Sequence, residues 1–110
     1  MVSIEQFQQL DMRVGKIVRA EQFPQARKPA YKLWIDFGPS LGIKQSSAQL
    51  TYHYTPDSLI GRLIIAVVNL PPRVIAGFRS DVLVLGVPDA DGAVVLLRPD
   101  WEVPLGGRVF

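Results

Sequence analysis

From residue 31 to residue 37 apolar and polar side chains alternate without a break: Tyr31, Leu33, Ile35 and Phe37 against Lys32, Trp34 and Asp36. A period of two belongs to a half-buried strand. No stretch of the 110 residues carries a long helical period, so helix-rich and parallel α/β architectures are disfavoured. The rest of the chain supports short strands. Residues 12–23 read as a long one, with Met12, Val14 and Val18 on one side and Arg13 and Arg19 on the other. Gly15 and Ile17 interrupt that alternation, and a glycine inside a strand marks a bend or a close approach. Residues 43–49 form the next strand candidate. Residues 62–70 form a dense apolar one, ended by Pro71-Pro72 because proline cannot donate to a ladder. Residues 82–87 and 93–97 pair across a hairpin turn, Asp89-Ala-Asp-Gly92.

Two short helices punctuate this pattern. Ser3 and Gln6 have the spacing of a capping box, and Ile4, Phe7 and Leu10 share one face behind it. So short a helix cannot hold itself together and must dock on something. Thr55-Pro56-Asp57 supplies an N-cap, a first-turn proline and a first-turn acid, and Gly61 stops the helix. The expected fold is therefore all-β. It is an OB-fold, a Greek-key barrel of five to six strands with a short N-terminal helix and a second short helix between strands 3 and 4. One domain, residues 1–110, accommodates it.

Composition narrows the chemistry. The chain has no cysteine, which excludes disulfides and thiolate metal sites. His53 is the only histidine and has no partner at metal-ligand spacing, so it reads as a surface residue near a helix start. Glycine-rich phosphate loops and a nucleophile elbow are missing. Asp89 and Asp91 flank a turn, which explains them better than paired-acid catalysis. No enzyme activity, cofactor or metal is expected. The N-terminus lacks a basic region followed by a long apolar stretch, and the longest apolar run, residues 63–68, is too short to cross a bilayer. A cytoplasmic protein without membrane insertion is expected.

Three groups of residues could bind something. Arg27, Lys28, Tyr31, Lys32 and Trp34 interleave cations with aromatics beside the strand that an OB-fold presents to ligands. Trp34 there serves either a ligand or a dimer contact. The stretch from Asn69 to Ser80 brackets Val74, Ile75 and Phe78 with Arg73 and Arg79. Its apolar residues either cap the barrel or form an apolar contact rimmed by cations. Ile4, Phe7 and Leu10, together with Val109 and Phe110, seek apolar cover at the two ends. A symmetric homodimer would provide it; packing on the barrel's own rim competes.

The run Asp11-Met-Arg-Val-Gly-Lys-Ile-Val18 is followed in order by residues 33–37, Tyr54-Thr-Pro-Asp57, Leu59-Ile-Gly61 and Ala66-Val-Val-Asn-Leu70. As a set these blocks resemble the tRNA-binding OB domain of methionyl-tRNA synthetases and stand-alone tRNA-binding proteins, from about Ile4 to Phe110. Three segments depart from the synthetase branch: Ala26-Arg-Lys-Pro-Ala-Tyr-Lys-Leu33, Gly42-Ile-Lys-Gln-Ser-Ser-Ala-Gln49 and Ala76-Gly-Phe-Arg-Ser-Asp-Val-Leu-Val-Leu-Gly86. All three look like the CsaA family of secretion-related chaperones. That resemblance implies a homodimeric, ATP-independent chaperone of the bacterial cytosol. It would bind unfolded or export-bound precursor polypeptides and pass them toward the preprotein translocation machinery. It also implies an apolar site ringed by positive charge, which Trp34, Ile75 and Phe78 with Arg73 and Arg79 could supply. The alternative it implies is tRNA binding, through Arg27, Lys28, Lys32, Ser46, Ser47, Asn69 and Ser80.

Overall fold

The computed structural model describes residues 1–110. Helix α1 (Ile4–Gln8) is capped as its sequence predicts: Ser3 Oγ accepts the Gln6 N–H at 3.1 Å, and Gln6 Oε1 accepts the Ser3 N–H at 2.8 Å. No residue of α1 is buried. Strands β1 (Met12–Gln22), β2 (Tyr31–Asp36) and β3 (Ile43–Ala48) follow, then helix α2 (Pro56–Leu59) and β4 (Leu63–Val67). The chain continues through β5 (Arg73–Ile75), β6 (Phe78–Ser80), β7 (Leu83–Val84), β8 (Gly86–Pro88) and β9 (Val94–Leu96). The main sheet runs β3-β2-β1-β4-β7, antiparallel throughout, and curls into a nearly closed OB-type barrel. The second helix falls between strands 3 and 4, as expected.

The long first strand serves two neighbours. Residues 12–16 pair with β4 and residues 16–22 with β2, and the register shifts between Ile17 and Arg19. That bulge changes the phase of the alternation. Gly15 and Ile17, which break the sequence pattern, are the residues that face the barrel core. Val18, which the pattern groups with Met12 and Val14, is 40% exposed. Gly15 has a steric reason to be glycine: a Cβ there would lie 2.5 Å from Ile35 and 2.7 Å from Phe37. Val14 is buried from the other side, where its N–H and C=O bond Gly107 and Gly106 of the C-terminal segment.

The core joins Ile17, Leu33, Ile35 and Phe37 to Leu59 of α2 and Ile64 of β4, all essentially inaccessible to water. Each such side chain contributes about 1.5–3 kcal/mol on burial. The polar groups that enter with them are satisfied, as burial requires. Tyr31 Oη donates to the Tyr54 carbonyl at 2.7 Å, and Ser46 Oγ donates to the Val82 carbonyl at 3.1 Å.

Two segments differ from the sequence reading. The stretch read as a loop from Asn69 to Ser80 contains a hairpin, β5–β6, turned by Ala76 (φ 47°) and Gly77 (φ 80°). Two successive positive φ values mark the tight primed turn whose twist suits a hairpin. The hairpin lies against the free edge of β3. The Asp81 N–H bonds the Gln45 carbonyl at 2.8 Å, and the Ser47 N–H bonds Ser80 Oγ at 3.0 Å. The strand expected over residues 82–87 divides into β7, paired with β4, and β8, paired with β9. The chain changes partners at Gly86, where a Cβ would meet Val94 and Val95 within 2.8 Å.

Candidate ligand face and terminal groove

Because Leu33 and Ile35 point inward, Lys32 and Trp34 point outward from β2. Pairing places Arg19 opposite Trp34 and Glu21 opposite Lys32 on β1, and Gln45 and Ser47 opposite them on β3. Two rings complete the cluster. Phe23 arrives from the end of β1, and Phe78 is laid over the sheet by the β5–β6 hairpin. Phe78 meets Phe23 edge-on at 5.5 Å between centroids and Trp34 edge-on at 5.7 Å. Both phenylalanines are buried, Phe78 at 9% exposure, while Trp34 is half-buried.

Cations cover the accessible ring faces. The Arg19 guanidinium lies 4.3 Å over the Trp34 ring and is held there by Glu21, whose Oε2 accepts from Nε at 2.7 Å and also from Nη2. Lys32 Nζ lies 4.9 Å from the Phe23 centroid and 5.3 Å from that of Phe78. Such cation–π contacts contribute about 0.5–2 kcal/mol each, more where water is excluded. Two clefts flank the cluster. One, of about 340 Å³, lies under the β1–β2 loop between Phe23, Arg27 and Thr51. The other, of about 170 Å³, lies between Ser47, Leu70, Arg73, Ile75 and Leu83. Trp34, Phe78, Lys32, Ser47 and Ser80 therefore come together, with Arg73 and Ile75 on the hairpin and Arg27 and Lys28 on the adjoining loop. Arg79, between Phe78 and Ser80 on β6, is exposed on the other side and pairs with Asp81.

Two residues named for tRNA binding lie apart from this face. Ser46 points into the barrel with its hydroxyl on Val82. Asn69 clamps the N-terminal segment: its Nδ2 donates to the Gln9 carbonyl at 2.8 Å, and its Oδ1 accepts the Asp11 N–H at 2.9 Å. Arg19, Glu21 and Phe23 belong to the cluster although sequence reasoning did not assign them to a site. Their place depends on the β1–β2 register and its bulge, which no local pattern announces.

At the opposite end of the chain, Ile4, Phe7, Leu10, Val109 and Phe110 line one groove of about 570 Å³ with Gln8 and Arg108. Ile4 and Phe110 are among the most exposed apolar residues of the molecule. The backbone beneath them is fixed. The Asp11 carboxylate bonds Arg13 Nε at 2.6 Å, Arg13 Nη1 donates to the Gly106 carbonyl at 2.9 Å, and Arg108 Nη2 donates to the Gln8 carbonyl at 2.7 Å.

Outside both regions His53 and Asp89 form a polar contact, 2.6 Å between Nε2 and Oδ2. A carboxylate only accepts, so Nε2 carries the proton. This bond, then the Ala93 N–H, lower the Asp89 pKa from its ordinary 3.8; the Asp91 N–H adds to the effect. No three His, Cys, Asp or Glu side chains converge where they could hold a metal ion.

Residues 12–108 match the family model described as a putative tRNA binding domain. The fold superposes on the crystal structure of the chaperone CsaA of Bacillus anthracis str. Ames with a TM-score of 0.92 and 55% identity, covering 100% of this chain and 99% of that one. CsaA of Picrophilus torridus gives a TM-score of 0.92 and 50% identity, with both chains fully covered. A methionine–tRNA ligase of Porphyromonas gingivalis is 35% identical over 108 residues, which is 98% of this chain and 15% of the ligase. The chain thus spans about one seventh of the length of the curated ligases it matches.

Proposed function

Since the chain belongs to the putative tRNA binding domain family, and within it to the CsaA type, we propose that it is an ATP-independent chaperone for unfolded or export-bound polypeptides. The observation that carries this reading is the aromatic and cation cluster of Trp34, Phe78, Phe23, Arg19 and Lys32, roofed by a short hairpin. A flexible polypeptide can lay apolar side chains along such a rim and hydrogen-bond Gln45, Ser47 and the hairpin. Nothing in this binding requires a nucleotide. We place the protein in the cytoplasm as a homodimer joined through the terminal groove, with the preprotein translocation machinery downstream. The groove supports the dimer because its apolar rim is bare while its backbone is held by Arg108, Arg13 and Asn69.

A second reading, tRNA binding, is favoured by one observation. The cations Arg27, Lys28, Lys32 and Arg73 flank the strands that OB-folds use for oligonucleotides, and none has a carboxylate partner. Salt separates the two. Phosphate contacts make affinity fall steeply with ionic strength, whereas apolar capture does not weaken that way. Polarisation titrations of an unfolded precursor segment and of tRNA, across a salt series, decide between them. The chaperone reading expects peptide binding that survives physiological salt and weakens about tenfold in Trp34→Ala. Tight tRNA binding at that salt, with no peptide binding, would reverse the order.

A further inference from the structure

The charges of the ligand face are used unequally. Glu21 stands directly opposite Lys32 across β1 and β2, yet its carboxylate is taken by Arg19. Asp81 is taken by Arg79 in the same way, at 2.6 Å. Each acid thus pairs through one oxygen with an arginine two residues away, and Lys32, Arg27, Lys28 and Arg73 have no carboxylate partner. Six cations against two acids give this region a surplus of four positive charges, while the whole chain has a surplus of two. The remaining surface is therefore net acidic.

Lys32 is the cation held in place. It is half-buried, with its ammonium set over the Phe23 and Phe78 rings where they meet. The rings hold the ammonium in place but give it no opposite charge, and a charge-assisted hydrogen bond to a carboxylate is the stronger contact. An incoming carboxylate finds a partner already positioned, at little ordering cost. A basic side chain is less favoured: each acid already carries an arginine, the local charge is positive, and Arg19 lies over the Trp34 ring. The cleft beside Ser47, the cross-strand neighbour of Lys32, is lined by Leu70, Ile75 and Leu83 and can take an adjacent apolar side chain.

We infer that this face selects polypeptide stretches in which an acidic residue adjoins an apolar one, with the carboxylate seated on Lys32. Basic stretches, including the positively charged flank of an export signal, are disfavoured. The inference rests on the polypeptide-binding reading above.

The test uses labelled short peptides with a common Leu-Val-Leu core flanked by Glu, by Ser or by Lys, titrated by polarisation into the full chain, Lys32→Gln and Arg73→Gln. The Glu-flanked peptide should bind about tenfold more tightly than the Ser-flanked one, the size of one charge-assisted hydrogen bond, and the Lys-flanked peptide more weakly still. Lys32→Gln should erase the preference and leave binding of the Ser-flanked peptide in place. Arg73→Gln, at an exposed position, should reduce the preference by a smaller factor. Equal binding of all three peptides, or tightest binding of the Lys-flanked one, overturns the inference and leaves the chaperone reading standing. Binding of tRNA with no binding of any peptide overturns both.

Discussion

On the outer face of β1 and β2 the aromatic rings are already covered. Arg19 lies over Trp34, Lys32 over Phe23 and Phe78, and the β5–β6 hairpin folds across them. Between the chain ends Ile4, Leu10 and Phe110 have no such cover, although Asp11, Arg13, Arg108 and Asn69 hold the backbone around them. The first region closes on itself through ring–ring and cation–π contacts. The second is an apolar groove on a hydrogen-bonded backbone, left open by the single chain. Ionic strength acts on the charged contacts of the first, though not on apolar capture beside them, and hardly on the second.

The largest expected effect tests the second region. Phe7→Asp places a charge in the terminal groove and should raise the dissociation constant of the proposed dimer about 100-fold, the cost of losing one buried interface anchor. Sedimentation should then show monomers that remain folded by circular dichroism. A dimer that survives the change breaks the assignment of the groove to a permanent contact.

Next in size is Asn69→Ala, which leaves the Gln9 carbonyl and the Asp11 N–H without partners. Urea denaturation should register a loss of about 1–2 kcal/mol. Amide exchange in α1 should speed up, while peptide affinity at the ligand face stays as in the parent. Loss of peptide binding in this variant would show that the two regions are coupled.

A smaller change sharpens the picture of the hairpin roof. Ala76 holds φ at 47° with a Cβ in place, and asparagine tolerates that region better. Ala76→Asn should stabilise the protein by about 0.5–1 kcal/mol, read as a rise in melting temperature. An unchanged or lower melting temperature would mean that the turn is not under strain.

The smallest effect lies outside both regions. Asp89 is depressed in the folded state, so its contribution is present above its unfolded value of 3.8 and is lost as pH falls through the lower folded pKa. His53→Ala removes the main cause, and the Asp89 carboxyl should titrate closer to 3.8 by NMR. The Ala93 and Asp91 N–H groups still bond Oδ1, so the return should be incomplete. Neither peptide binding nor dimerisation should change.

Much of the barrel was legible because its signals are local. The alternation in residues 31–37 put Tyr31, Leu33, Ile35 and Phe37 in the core, where all four are buried. The caps of α1 and α2 follow from Ser3, Gln6 and Thr55-Pro56, whose hydrogen bonds span only three residues. The phase of β1 was not legible, because the bulge after Ile17 depends on pairing with β2. The β5–β6 hairpin was missed because its strands have three residues each and its turn begins with alanine. At the site, the sequence supplied Lys32, Trp34, Arg73 and Phe78 as candidates. It gave no sign that Phe23 and Phe78 meet, or that Asn69 fastens the N-terminal segment.

By itself the sequence determined the strand rhythm, the two capped helices, the supply of cations and aromatics, and the family. Those properties depend on residue type and on spacing within a few positions. Only the tertiary structure decided which cations stay free. Glu21 faces Lys32 across the sheet yet bonds Arg19, and that choice rests on distances between strands and on rings brought from distant parts of the chain.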